Sequence, residues 1–286
     1  MSTPKVWLIT GASSGFGRAM TELVLKKGDI VIATLRRPEV LADLSSQYSA
    51  DRLLRIKLDV SKEQDIVNAF MKVKGTFGRL DIVFSNAGFS VLSEAEDAPE
   101  DAVRSMFEVN FWGAARVQRE AVKFLRTVNP PGVGGRILQN SSMLGISGIP
   151  VYSYYCASKF AIEGFTESLA QEVDPVWNIK ITLVEPGGFQ TDAHANRVAT
   201  PIHPAYSSPT SPAAQTRKFI GGNPLPGDPK KAAEVLYKLA AFPDPPFHFP
   251  VGKDFIRASR KKVANYLADV DKFESWSEGI EVDSDT

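Results

Sequence analysis

Three side chains, Ser142, Tyr155 and Lys159, have the types and spacing for proton transfer at a carbonyl or an alcohol. They lie in the stretch SSMLGISGIPVYSYYCASKF, residues 141–160. Tyr155 and Lys159 are four residues apart, so a helix here stacks them on one face, about one turn apart. A phenol ionises near pH about 10 and is a poor proton carrier at neutral pH. A neighbouring ammonium favours its phenolate and brings it toward working range. Ser142 precedes a loop broken by Gly and Pro, from which its hydroxyl can reach the substrate oxygen that Tyr155 protonates. A Tyr and a Lys at this spacing also occur by chance in ordinary helices, so the set gains weight only with a cofactor site elsewhere in the chain.

That site is expected at the N-terminal end. Val6 to Thr10 is a continuous apolar run, as befits a strand buried on both faces. TGASSGFG follows at once, with Gly11, Gly15 and Gly17 around Ser13, Ser14 and Phe16, and then Ala19, Met20, Leu23 and Val24 at helical intervals. A strand, a glycine turn and a helix start make an anion site, because backbone N–H groups and the positive helix end face a pyrophosphate that glycines let approach. Gly11 to Gly15 also fits the G-x-S-x-G elbow of α/β hydrolases. That elbow should follow several strands and precede an acid and a His. Here it opens the chain, and the three histidines, His194, His203 and His248, lie in or near proline-rich segments. A hydrolase is therefore the remote alternative, and the sparse histidines predict no metal site.

The remaining elements alternate strand and helix, which predicts a parallel, doubly wound α/β sheet. The second strand, Ile30 to Leu35, ends in Arg36 and Arg37 with no acid. An acid there would select a ribose 2′-hydroxyl, whereas an Arg accommodates a 2′-phosphate, so NADPH is expected over NADH, with Ser13 as a second phosphate contact. Leu53 to Leu58 runs into Asp59 and Val60, beside the expected adenine position. Ser61 and Gln64 read as a capping box before Ile66, Val67, Phe70 and Met71. Leu80 to Phe84 leads into Ser85, Asn86, Ala87 and Gly88. Two helical stretches between Pro99 and Val128 meet at Asn110 to Gly113, where poor helix formers predict a kink that presents the Asn110 amide to the site. Ile137 to Asn140 delivers Ser141 and Ser142, and Ile179 to Glu185 delivers Pro186, Gly187 and Thr191.

Residues 197–229 are rich in Pro, Ser and Gly with little periodicity and read as a long loop, a substrate lid within a segment of about 188–229. Pro229 to Ala241 reads as a helix, and PPFHFPVG as a closing edge strand. The tail through Phe255, Val263, Tyr266, Leu267 and Trp276 reads as a helix packed onto the domain, with a disordered acidic end.

The chain has 286 residues, with 33 acidic against 33 basic side chains. This balance offers no reason to expect a nucleic acid or an anionic membrane as partner. The single Cys156 excludes an intramolecular disulfide and reads as a packing residue. No apolar run approaches the roughly 18 residues of a membrane span. With no basic leader, the expected location is cytoplasmic.

In order along the chain, Thr10-Gly11 to Gly17, Asp59, Asn86-Ala87-Gly88, Asn110, Ser142, Tyr155 with Lys159, and Pro186-Gly187 with Thr191 resemble the motifs of the short-chain dehydrogenases/reductases. The resemblance runs to about Val251 and is similar to the hydroxysteroid and retinol dehydrogenase-like branch. It implies one Rossmann-like domain with a seven-stranded parallel sheet and a catalytic tetrad of Asn110, Ser142, Tyr155 and Lys159. Lys159 would bind the nicotinamide ribose and lower the Tyr155 pKa, Ser142 would orient the carbonyl, and Asn110 would hold a water in the proton relay. Pro186, Gly187 and Thr191 would neighbour the nicotinamide. Two departures are Ser85, where the family has Asn, and a longer segment past Val251.

The expectation is thus an NADP(H)-dependent carbonyl reductase with its catalytic domain at 1–255 and a helical extension and acidic tail at 256–286. Met143, Leu144, Ile146, Tyr152, Phe189 and the lid would wall a pocket for a hydrophobic ketone or aldehyde. A non-catalytic NADPH-binding sensor or scaffold is the alternative from another class. Helices around Asn110 and Gly164 would build a homodimer or homotetramer if the chain is not a monomer.

Overall fold

Apolar strands that send alternate side chains to two helical layers build the fold. The computed structural model describes residues 3–192, 197–222 and 224–282. In chain order its elements are β1 (Val6–Thr10), α1 (Gly15–Lys26), β2 (Ile30–Leu35), α2 (Ala42–Ser45), β3 (Leu53–Lys57), α3 (Glu63–Phe77), β4 (Ile82–Ser85) and β5 (Val91–Leu92). Then come α4 (Glu100–Phe107), α5 (Ala114–Thr127), β6 (Gly135–Asn140), α6 (Ser153–Glu172), β7 (Ile179–Pro186), β8 (Val198–Ala199), α7 (Pro212–Gly222), α8 (Pro229–Ala241), β9 (His248–Val251) and α9 (Lys253–Phe273).

Seven strands form one parallel sheet in the order β3-β2-β1-β4-β6-β7-β9. Trp7 and Ile9 of β1 pack on one face with α1 and α8, while Val6 and Leu8 pack on the other with α3 and α5. Period-2 alternation with both faces apolar is what a covered parallel sheet requires. The strand order reverses between β1 and β4, and the crevice at their carboxyl ends is where such sheets bind ligands. The proline-containing β9 sits at the sheet edge, as expected.

Three expectations need correction. Ser61 does not cap α3: its N–H and hydroxyl both donate to Asp59 Oδ1, at 3.0 and 2.8 Å, and α3 starts at Glu63 after an uncapped Lys62. The adjacent carboxylate is the stronger acceptor. Residues 197–229 are not a featureless loop, since β8 pairs with β5 and α7 spans eleven residues. Arg217 of α7 holds the buried Glu94 through two bonds of 2.8 and 2.6 Å, a long-range ion pair that local periodicity does not reveal. The tail does form a helix, but of α9 only Phe255 is buried. Val263, Tyr266, Leu267 and Trp276 are exposed. His194 and the last four residues of the tail lie outside the described residues.

Candidate active site

The glycine turn connects β1 to α1 at the strand-order reversal. Gly11 and Gly15 have φ of +67° and +53°, a region that glycine enters without steric cost. A Cβ on Gly17 would lie 2.2 Å from the Gly11 carbonyl oxygen, so only glycine lets α1 start this close to β1. Ser14 occupies the N-cap in an extended conformation and no side chain caps the helix. The first-turn N–H groups therefore face the crevice as donors for an anion. Thr191 closes this end, with its Cβ 3.2 Å from where a Gly15 Cβ would stand.

A polar chain runs from this turn into the sheet. Thr10 is buried, and its Oγ1 accepts from the N–H groups of Asn86 (2.8 Å) and Ala87 (3.1 Å). The Asn86 amide donates back to the Thr10 carbonyl at 2.9 Å, and Asn140 donates to Asn86 Oδ1 at 2.9 Å. Lys159 then donates to the Asn140 carbonyl at 3.1 Å. This ladder fixes the ammonium relative to the glycine turn. Asn140 was not among the residues singled out from sequence, although its place at a strand end next to Ser141 was the available signal.

Tyr155 and Lys159 share one face of α6, with Nζ 5.8 Å from the centre of the phenol ring. The Tyr155 hydroxyl hydrogen-bonds Ser142, whose Oγ also accepts from the Leu144 N–H at 3.1 Å. Burial pushes the Tyr155 phenol up and the Ser142 bond only partly offsets it. Desolvation of the phenolate is the largest cause of this rise. Lys159 is itself pushed down to about 8 by burial, against the attraction of Glu163. Glu163, four residues further along α6, is pushed up to about 7 by burial, while a hydrogen bond from the Ser141 hydroxyl acts in the opposite direction. Its i, i+4 spacing from Lys159 was a signal that sequence reasoning passed over.

Asn110 lies in a π-helical turn, Glu108–Gly113, which is the expected kink. Its amide lies near Lys159, since a Cβ on Gly88 would meet Asn110 Oδ1 at 3.1 Å and Lys159 Nζ at 3.8 Å, and it is held by protein groups. Oδ1 accepts from the Phe89 N–H at 3.0 Å, and Nδ2 donates to the Phe89 carbonyl (2.9 Å) and to Ser158 Oγ (3.1 Å). Asn110 thus clamps the loop after β4 to α6. Asp59 likewise holds Ser61, and the buried Val60 lies against Gly113, where a Cβ would stand 2.8 Å from the Val60 carbonyl. Arg36 extends exposed from the end of β2. Pro186 and Gly187 end β7 beside Asp254, whose carboxylate accepts from the Gly188 N–H at 2.7 Å.

Next to Tyr155, an apolar cluster gathers Leu92, Leu144, Val151, Tyr152, Cys156 and Ala213, with Met143, Ile149, Tyr206 and Ile220 against it. Met143, Leu144 and Tyr152 belong to this cluster, and Cys156 is a packing residue in it. Ile146 is outside this cluster. Phe189 is not a wall of it: the ring packs in the main core and meets Phe16 edge-on at 5.0 Å. Gly227 leaves the room, since a Cβ there would lie 2.3 Å from the Phe189 ring. Helix α7 contributes Ala213 and Ile220 to the cluster.

Residues 5–201 match the family model described as short chain dehydrogenase. An uncharacterized oxidoreductase of Schizosaccharomyces pombe is 39% identical over 262 residues, covering 91% of this chain and 86% of its own. The NADPH-dependent 1-acyldihydroxyacetone phosphate reductase of Saccharomyces cerevisiae is 32% identical, with coverage of 84% and 80%. The crystal structure of a short-chain dehydrogenase from Streptomyces avermitilis superposes with a TM-score of 0.87 at 33% identity, covering 98% of this chain and all of its own. With its sheet order, its glycine turn and its Ser, Tyr and Lys gathered at the strand ends, this chain belongs to the short-chain dehydrogenase family of oxidoreductases.

Proposed function

We propose that the protein is an NADPH-dependent carbonyl reductase that interconverts a medium-sized hydrophobic ketone or aldehyde and its alcohol. The observation that carries this reading is the Tyr155 hydroxyl, hydrogen-bonded to Ser142 and one helical turn from Lys159, beside an apolar cluster at the open end of the sheet. The residues present suit a dinucleotide, because Gly11, Gly15 and Gly17 keep the uncapped start of α1 open to a pyrophosphate. Ser13, Ser14 and Phe16 complete that turn. Arg36 would take the 2′-phosphate, Asp59 and Val60 would flank the adenine, and Thr10 with Asn86, Ala87 and Gly88 would support the centre. Pro186, Gly187 and Thr191 would border the nicotinamide.

When bound, NADPH supplies the hydride that reduces the carbonyl carbon. Tyr155 gives its phenolic proton to the carbonyl oxygen, and Ser142 donates a hydrogen bond that orients the same oxygen. Burial keeps the phenol protonated at neutral pH, so the proton is present, and the Lys159 ammonium favours the phenolate that its transfer leaves. Lys159, anchored on the Asn140 carbonyl, holds positive charge beside the phenolate left behind. Asn110 acts as a positioning residue through Phe89 and Ser158. The pocket of Met143, Leu144 and Tyr152 under α7 favours an apolar substrate. The yeast relative, an NADPH-dependent 1-acyldihydroxyacetone phosphate reductase, supports the NADPH and ketone parts of this reading.

The test follows NADPH and NADH oxidation separately against hydrophobic ketones, aldehydes and steroids. Turnover with NADPH on the apolar panel is the expected result. Activity confined to small charged keto acids would overturn the substrate class, and a lower KM for NADH would overturn the role of Arg36.

A further inference from the structure

We infer that α9 is a self-association helix, pairing antiparallel with α9 of a second copy of this chain about a two-fold axis. Every described residue from Arg260 to Val282 is exposed. Yet Val263, Tyr266, Leu267, Val270 and Phe273 recur at intervals that place them within an arc of about 120° on the helix. Just past the helix, Trp276 stacks edge-on against Phe273 at 5.3 Å and is 79% exposed. A lone amphipathic helix is marginal in water, and most helical stability in proteins comes from covering the apolar face. Nothing among the described residues covers this one.

The charges select the occupant. Arg257, Arg260, Lys261 and Lys262 occupy the first half of the helix, and Asp269, Asp271, Glu274 and Glu278 occupy or follow the second, with Lys272 the one basic exception. Among the described residues, none of Arg260, Lys262, Asp269 and Glu274 has an oppositely charged partner within 4 Å. In heptad terms Val263 and Val270 take position a, and Tyr266 and Phe273 take position d. The flanking positions are then Lys262 and Asp269 on one side, and Arg260, Leu267 and Glu274 on the other. An antiparallel pair centred on Tyr266 and Leu267 sets Lys262 against Asp269 of the second copy, and Arg260 against Glu274 of the second copy. Symmetry repeats both pairs, and Leu267 meets its own counterpart. A parallel pair would set Asp269 beside Glu274 of the second copy, like against like. A membrane surface fits less well. From Arg260 to Glu278 the four basic residues (Arg260, Lys261, Lys262, Lys272) balance the four acidic ones (Asp269, Asp271, Glu274, Glu278), whereas surface-seeking helices carry a predominantly basic polar face.

The experiment is light scattering on the full chain across a dilution series, with circular dichroism and thermal melting to confirm folding. The substitutions lie beyond Ser259, where α9 is clear of the body, so the folded domain should persist. Leu267→Glu with Val270→Glu should halve the mass of the wild-type assembly. Lys262→Glu alone should raise the dimer dissociation constant about tenfold, by replacing two attractive pairs with two repulsive ones. Adding Asp269→Lys to Lys262→Glu should restore wild-type association, because the swapped charges meet again only in the antiparallel register. A monomeric wild type, a mass unchanged by the Leu267 and Val270 substitutions, or a charge swap without rescue would each overturn the inference. Sedimentation of a monomeric wild type with phosphatidylcholine/phosphatidylglycerol vesicles would overturn it in favour of a membrane.

Discussion

Two helices of nearly equal length, α6 with 20 residues and α9 with 21, treat their side chains in opposite ways. The first buries Ser158, Lys159, Glu163 and Thr166 along with Cys156 and Ile162. The second buries only Phe255 and exposes a stripe of valine, leucine and aromatic residues. Burying a polar group costs free energy unless it finds a partner, and each of these four has one: Ser158 with Asn110, Lys159 with the Asn140 carbonyl, Glu163 with Ser141, and Thr166 with Gln118. Apolar side chains would stabilise that interface at lower cost. Polarity there is therefore best understood by what it does: it places protonable groups where water is excluded and their affinities for protons shift. The apolar stripe of α9 is the converse case, in which a surface that could have been buried within the chain is left for something outside it.

Substitutions in the two helices should therefore read out in different measurements. The largest effect belongs to Lys159→Met, which removes the ammonium from the polar ladder. Steady-state kinetics should show kcat lower by about a hundredfold or more, within the range ascribed to positioned acid–base groups, while the assembly mass stays unchanged. An active Lys159→Met enzyme would dissolve the contrast.

Glu163→Gln comes next and acts on stability against pH. The folded chain holds the Glu163 proton up to about pH 7, above its ordinary 4.5. The folded state binds that proton more tightly than the unfolded state, so wild-type stability falls as pH rises from 4.5 to 7 and then levels. Thermal melts should show this slope, on the order of 3 kcal/mol in total, and Glu163→Gln should flatten it. Lys159 works the other way, because its folded value near 8 is below its ordinary 10.5 and stability rises with pH across that window. A slope between pH 4.5 and 7 that survives Glu163→Gln would assign it to another group.

The smallest effect is expected at α9. Truncation after Ser259 should leave kcat/KM within about twofold, because every described residue it removes is exposed, and should change only the mass of the assembly. A large loss of activity would mean that α9 reaches the active site of one copy or the other.

Much of this architecture was readable from local pattern. Continuous apolar runs such as Val6–Thr10 and Ile30–Leu35 announce strands covered on both faces, and glycines at 11, 15 and 17 announce the turn between strand and helix. Ser142, Tyr155 and Lys159 were legible because helical spacing alone brings two of them together. What escaped depends on distant partners. Helix α7 is held by Arg217 on Glu94, 123 residues away. Asn110 carries an amide whose partners, Phe89 and Ser158, lie 21 and 48 residues distant. Phe189 was read correctly as apolar, but its contacts are with Phe16 and the main core. The rise in the Tyr155 pKa reflects burial, which spacing cannot report. The stripe on α9 was visible as a pattern, and the error lay in assigning it a partner within the same chain.

The central claim, that Tyr155 is the proton donor of an NADPH-dependent carbonyl reduction, is tested most directly by comparing wild type with Tyr155→Phe. The measurement is single-turnover NADPH oxidation with a ketone that the wild type reduces, alongside NADPH binding followed by nicotinamide fluorescence. Unchanged NADPH binding with turnover slowed at least about a hundredfold is the predicted result. Tyr155→Phe turning over at the wild-type rate would contradict the account, as would a wild type that binds NADPH and reduces no carbonyl at all.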